Sequence, residues 1–434
     1  MAQRVSAASL SGAGKCALGL GGAACAARRI SRRIRQHTRL KHVGSTRTFS
    51  RHFASNIRVS ESRCIANLRT PIASVTFRRH LLNTLDMINL RSQMLGVLAR
   101  GRSNNIQLLR FVAASFVVFF HCFALTNHWT DEPLWRMNHD WNFGALGVQI
   151  FFVISGFLVT KSWQQHSRLL PFASARVLRI YPALILAVVF TVVLAGASSS
   201  LAWPAFLTGP MTRDFAWHTA SAWSLRDELP GAFAANPYPR SVNGSLWTLP
   251  VELRLYVYIG LAGAVALVAR QWFFATAVAF AIVVTLLSPE WLQAVSIDIG
   301  SRSCVLLFVV GSLAWLVRDW LPVSLPLALV AVIALFVIPA DIGRGILFGA
   351  LFSYTVLAVA FHPRVQLPAF NRLGDYSYGI YVYAFPLQQT LIERNSGWSP
   401  ATLFLTVMPL LVAVAMMSWH GVEKPLLGLK ARFR

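Results

Sequence analysis

The chain has 434 residues, 55% of them hydrophobic and 13% charged, with a mean hydropathy of +0.54. A soluble domain carries about 25% charged residues, so the composition excludes an ordinary water-soluble globule and points to a surface facing lipid. Of the net charge of +24, residues 1–105 contribute +17, from 19 Lys/Arg against Glu61 and Asp86, and the remaining +7 is too thinly spread for a nucleic-acid-binding domain.

Residues 1–104 form a basic extension, rich in Arg and Ser and poor in acids. Three readings compete for it: a disordered basic tail, an organelle-targeting peptide, or upstream sequence included by a mis-assigned start codon. The third is favoured, because Met87 and Met94 shortly precede the first apolar span. The five cysteines are scattered and make no C-x-x-C pair, so neither a disulfide framework nor a metal site is expected.

From residue 105 the pattern changes to apolar runs of about 17–25 residues, the length that crosses a bilayer. Ten spans are expected, at about 106–127, 144–163, 178–197, 246–265, 270–288, 302–318, 323–340, 344–362, 374–393 and 401–420. The fold class is therefore an all-α integral membrane protein, a bundle of about ten transmembrane helices around a central cavity. The membrane domain covers 105–425, and 426–434 is a basic tail. The only long connection, 198–245, reads as a loop partly covering a cavity. With both termini cytoplasmic, inner loops and tail hold twelve Lys/Arg and outer loops seven, which fits the positive-inside rule.

Ionisable groups inside lipid are costly and mark function by default. Arg110 and His121 lie in the first span, eleven residues apart. At 100° per residue they share one helix face, about 16 Å apart along the axis. Glu252, in the fourth span, is expected near the depth of His121. A carboxylate there would orient the imidazole and stabilise its protonated form, or else close two helices structurally. Arg254, two residues on, faces away. Arg176 and Arg179, three apart at the cytoplasmic end of the third span, suit phosphate through bidentate bonds, or act as positive-inside anchors. In the F-F-V-I-S-G-F stretch at 151–157, Gly156 suits close helix packing, and Ser155 contacts substrate or packs. No G-x-S-x-G elbow supports a serine hydrolase.

These residues resemble the acyltransferase 3 family of membrane O-acyltransferases, over about 105–425. Arg110 and His121 match its Arg-x10-His signature, and 151–157 its F-F-x-I-S-G-F element. R-V-L-R-I-Y-P at 176–182 is similar to R-x-x-R-I-x-P, and W-T-L-P-V-E at 247–252 to W-[ST]-L-x-x-E. S-Y-G-I-Y at 377–381 and E-K-P at 423–425 resemble the late elements. Two departures stand out: Y-A-F-P at 383–386 lacks the histidine of a W-H-x-P cluster, and no fused esterase-like domain is expected.

The resemblance implies acyl-CoA, with acetyl-CoA the expected co-substrate and no bound cofactor, and a carbohydrate acceptor beside membrane lipid. It makes His121 the catalytic base or a transient acyl carrier, with Glu252 its partner. Arg110, Arg176 and Arg179 would meet CoA phosphates or the developing oxyanion. Ser155, Trp247, Tyr256 and Tyr378 are expected to line the cavity or pack. The expected site is the inner membrane of a bacterium. The rival classes are a transporter or flippase for a lipid-linked sugar, and an inactive structural relative.

Overall fold

The computed structural model describes residues 93–101, 103–269, 301–337, 345–367 and 369–433. Among these residues the chain is nearly all helical, with no strand beyond two isolated bridges. The principal helices are α1 (Ile106–Leu125), α2 (Phe143–His166), α3 (Leu169–Ser198), α4 (Pro210–Ser221), α5 (Thr248–Ala269), α6 (Arg302–Leu316), α7 (Leu325–Val337), α8 (Ile346–Phe361), α9 (Ser377–Arg394) and α10 (Pro400–Ser418). Five stretches are long and apolar enough to cross a membrane: Ile106–Leu125, Phe143–Gln165, Leu169–Ser198, Gly244–Val265 and Pro400–Gly428. The span expected at 270–288 lies outside the described residues, as does nearly all of the basic extension.

Lipid as solvent explains both surfaces of the helices. On α3, Ile185, Val189 and Val193 recur every fourth residue and stay exposed, an apolar stripe that water would penalise and hydrocarbon tolerates. Between helices, with no hydrophobic drive toward one another in lipid, small residues permit close backbone approach. A methyl group at Gly156 on α2 would overlap the Phe308 carbonyl of α6, and one at Gly311 on α6 would overlap the Val153 carbonyl of α2. Ser312 seals the same contact, donating to the Gly156 carbonyl at 3.2 Å. Gly147 does the same for α2 against Ala113 of α1. Before α1, residues 93–96 dock on the turn after α6, with Leu95 N–H donating to the Leu321 carbonyl at 2.8 Å and Val323 N–H to that of Gln93 at 2.9 Å.

The register of the helices defines two ends. Phe120 on α1 faces Gly144 at the start of α2, and the Arg110 guanidinium lies 5.8 Å from the Phe151 ring centroid. So α2 runs antiparallel to α1, from a His121 end to an Arg110 end. α5 follows α2, as Glu252 meets Ser155 and Gly263 meets Trp163. α3 and α9 run the other way side by side, with the Tyr378 hydroxyl donating to the Ile180 carbonyl at 3.1 Å.

The 198–245 connection is more than a surface loop. A short helix, Trp203–Thr208, leads into α4, which packs back along α3. The Tyr181 hydroxyl donates to the Ser221 carbonyl at 2.9 Å, while Ser199 Oγ donates to the Pro230 carbonyl at 2.7 Å. The segment therefore descends and returns over about 27 Å of α3, taking 1.5 Å per residue. Its last part is pinned inside the bundle: Asn243 Nδ2 donates to the Val382 carbonyl at 3.0 Å, and Gln389 Nε2 to those of Tyr238 and Ser241 at 2.8 Å each. The Gln389 amide also accepts from Asn236 Nδ2 at 2.8 Å, and buried polar groups bonded on both sides fix a single arrangement.

Candidate active site

α3 has 30 residues, longer than the expected span, so Arg176 and Arg179 lie in its third turn rather than at its mouth. They reach different partners. The Arg179 Nη2 donates to Asp375 Oδ2 at 2.7 Å, in the turn before α9. The Arg176 guanidinium stacks on Phe172 and Tyr256, 4.7 and 5.6 Å from their ring centroids, and its buried Nε has no hydrogen-bond partner. Arg110, arriving from α1, donates to the same Asp375 oxygen at 2.7 Å.

Opposite Arg110 stands a compact oxygen cluster. Ser155 Oγ donates to Glu252 Oε1 at 3.0 Å, Tyr256 hydroxyl donates to that same oxygen, and Ser155 and Tyr256 are themselves 3.0 Å apart. Tyr256 is one turn beyond Glu252, so both project from one face of α5. Arg254, as its spacing predicted, points elsewhere and donates to the Trp223 carbonyl at 2.8 Å. A pocket of about 50 Å³ is lined by both Arg110 and Glu252. Its lining includes Arg110, Phe151, Ser155, Thr248, Glu252, Tyr378 and Tyr381. Such a space exceeds the roughly 10–15 Å³ needed by one water and has cationic and anionic sides.

His121 stands apart from this cluster. Its ring meets Phe385 edge-on at 5.3 Å and lies 5.9 Å from Phe120. Its Nδ1 is buried with no hydrogen-bond partner. The expected match in depth between His121 and Glu252 does not hold. Thr248, at the start of α5, is 2.8 Å from the Tyr381 hydroxyl on α9. From that level Phe385 and His121 lie one turn toward one end, and Glu252 one turn toward the other. The two side chains are thus separated by about two turns, on the order of 10 Å. The reason is the start of α5: Asn243 draws it into the bundle, so Glu252 sits deeper than a helix beginning at the surface would put it.

The other expected positions divide. Ser155 and Tyr378 line the pocket, and Tyr256 bonds its carboxylate. Trp247 is 46% exposed and neither lines the pocket nor packs in the core, because the turn before α5 rotates it outward. Asp375, which joins two of the expected arginines, was not among the expected residues. Its signal was present: an acid inside the 374–393 stretch, subject to the same rule that singled out Glu252. Glu423, within the E-K-P element, is buried with one carboxylate oxygen unbonded, 4.0 Å from Arg179 Nη1.

Comparison with known proteins assigns this arrangement to a family. The family model described as an acyltransferase domain matches residues 103–420. The chain belongs to the acyltransferase 3 family. With its apolar helices, this makes it an integral membrane protein that transfers acyl groups. Two relatives agree with the assignment. An O-acetyl transferase of Shigella phage Sf6 is 27% identical over 333 residues, covering 74% of this chain and 96% of its own. Nodulation protein 10 of Rhizobium leguminosarum bv. viciae is 29% identical over 377 residues, covering 76% of this acyltransferase and 95% of its own length. No solved structure matches the acyltransferase.

Proposed function

We propose that this acyltransferase moves an acetyl group from cytoplasmic acetyl-CoA to a hydroxyl of a surface or secreted glycan, or of its lipid-linked precursor. The observation that carries the reading is His121: a half-buried imidazole whose Nδ1 is buried without a partner, on the helix that carries Arg110. A buried polar atom left unbonded calls for an explanation, and a general base needs a free nitrogen. The Shigella phage relative, an O-acetyl transferase, supports acetyl as the group and oxygen as the acceptor.

In this reading the Arg110 end faces the cytoplasm, both termini lie there, and about ten helices surround a central cavity in a bacterial inner membrane. Arg176 and Arg179 meet the CoA phosphates, through guanidinium forks suited to them. Arg110, in the lining of the pocket, meets the acyl-CoA on the same donor side, where guanidinium groups suit its anionic oxygens. The acceptor hydroxyl gives its proton to His121 as its oxygen bonds the acyl carbon. The carbon–sulfur bond breaks, and the imidazolium returns the proton to the CoA thiolate. Glu252, two turns away, acts on the donor side of the pocket rather than as partner of the imidazole.

The test is mass spectrometry of surface glycans from cells with the gene, without it, and with His121→Ala. The acetyl mass increment is expected only with the wild-type chain, at equal protein level. Acetylation that persists in His121→Ala contradicts the reading. Lost glycan export with acetylation intact would instead identify a transporter.

A further inference from the structure

Two arginines from different helices share one oxygen of one carboxylate. Arg110 Nη1 and Arg179 Nη2 each donate to Asp375 Oδ2 at 2.7 Å, and Ser377 Oγ donates to Oδ1 at 2.6 Å. Asp375 is 8% exposed, and a buried charge of this kind persists only when paired and bonded. The turn presenting it depends on Gly374, whose φ of +117° favours a residue without a side chain. Two guanidiniums that reach one oxygen repel each other, and the carboxylate between them offsets that repulsion. Each guanidinium has five N–H donors, so one bond to Asp375 leaves others to point elsewhere. Arg179 is flanked on its second side by Glu423, at 4.0 Å. That residue is 2% exposed and ends the π-helical turn Trp419–Glu423, a distortion frequent at functional sites.

We propose that Asp375 is a positioning residue of the donor site: it holds Arg110 and Arg179 at a fixed spacing, so that both present their remaining N–H groups to one acyl-CoA molecule. The assignment rests on the donor reading above. Asp375 joins α1, α3 and the turn into α9 at a single atom. Its removal leaves Arg110 without its carboxylate and Arg179 with Glu423 alone, so the two cations separate and the anion loses a pre-organised pair.

Calorimetric titration of acetyl-CoA into the wild-type protein, Asp375→Asn and Asp375→Glu, each in lipid nanodiscs, tests this. Asp375→Asn is expected to weaken Kd about tenfold or more, as for lost hydrogen bonds to charged groups, with unchanged stoichiometry. Asp375→Glu is expected to recover part of the loss. A purely structural role lowers the binding-competent fraction and leaves Kd alone, and that result overturns the proposal. If the wild-type protein binds no acetyl-CoA, the donor reading fails, and thermal unfolding of Asp375→Asn, Arg110→Gln and the double variant judges the clamp. The double variant is then expected to unfold close to the worse single variant, and fully additive losses overturn it.

Discussion

Tyr256, one turn beyond Glu252 on α5, gives its phenolic hydrogen to the Glu252 carboxylate. Ser155 on α2 donates to the same oxygen at 3.0 Å. Glu252 is thereby committed to the pocket that Arg110 also lines, away from the His121 imidazole. Tyr256→Phe removes one donor from a charged acceptor, a loss of about 1.5–3 kcal/mol. Steady-state rates are expected to show kcat/KM lowered at least about tenfold. Rates equal to wild type would show that the bond does not support transfer.

Arg176 has a buried, unpartnered Nε and is held by two aromatic rings. In the proposed reading its guanidinium meets a CoA phosphate. Arg176→Ala is expected to raise the apparent KM for acyl-CoA without altering acceptor choice. Initial rates against acyl-CoA and against a panel of acceptors distinguish the two effects. A changed acceptor preference with unchanged acyl-CoA dependence would remove Arg176 from the donor side.

The α2–α6 contact has no room for a side chain at Gly156. Its Cβ would overlap the Phe308 carbonyl, and backbone cannot yield as a flexible side chain does. Gly156→Ala is expected to destabilise the protein by about 1–3 kcal/mol, the cost of overpacking. Thermal unfolding in nanodiscs reads this directly. Gly349→Ala, with its nearest contacts at 3.4–3.5 Å, is expected to shift the midpoint far less.

The spans were legible because lipid demands long apolar runs, and α1, α6, α8 and α10 fall within a few residues of their expected bounds. The face shared by Arg110 and His121 was legible because it follows from one helix alone. The depth of Glu252 was not. It depends on Asn243 and Thr248 anchoring the start of α5 to α9, a tertiary fact with no local signature. The descent of α4 along α3 was hidden for the same reason, since a stretch rich in Ser, Pro and Trp reads as a loop. Asp375 was missed differently. Its carboxylate falls inside the 374–393 stretch, so the rule that singled out Glu252 applied to it. But it sits at the edge of that span, where acids are common, and the convergence of Arg110 and Arg179 on it shows its part.

The central claim is that His121 serves acyl transfer from CoA to a glycan hydroxyl. It is tested most directly by supplying acetyl-labelled acetyl-CoA to membranes containing the acceptor glycan and either the wild-type protein or His121→Ala, at equal amounts. The account predicts label in the glycan with wild type and a rate lower by about 10²–10⁴-fold in the variant, the range for loss of a general base. Equal labelling by the two proteins would contradict it.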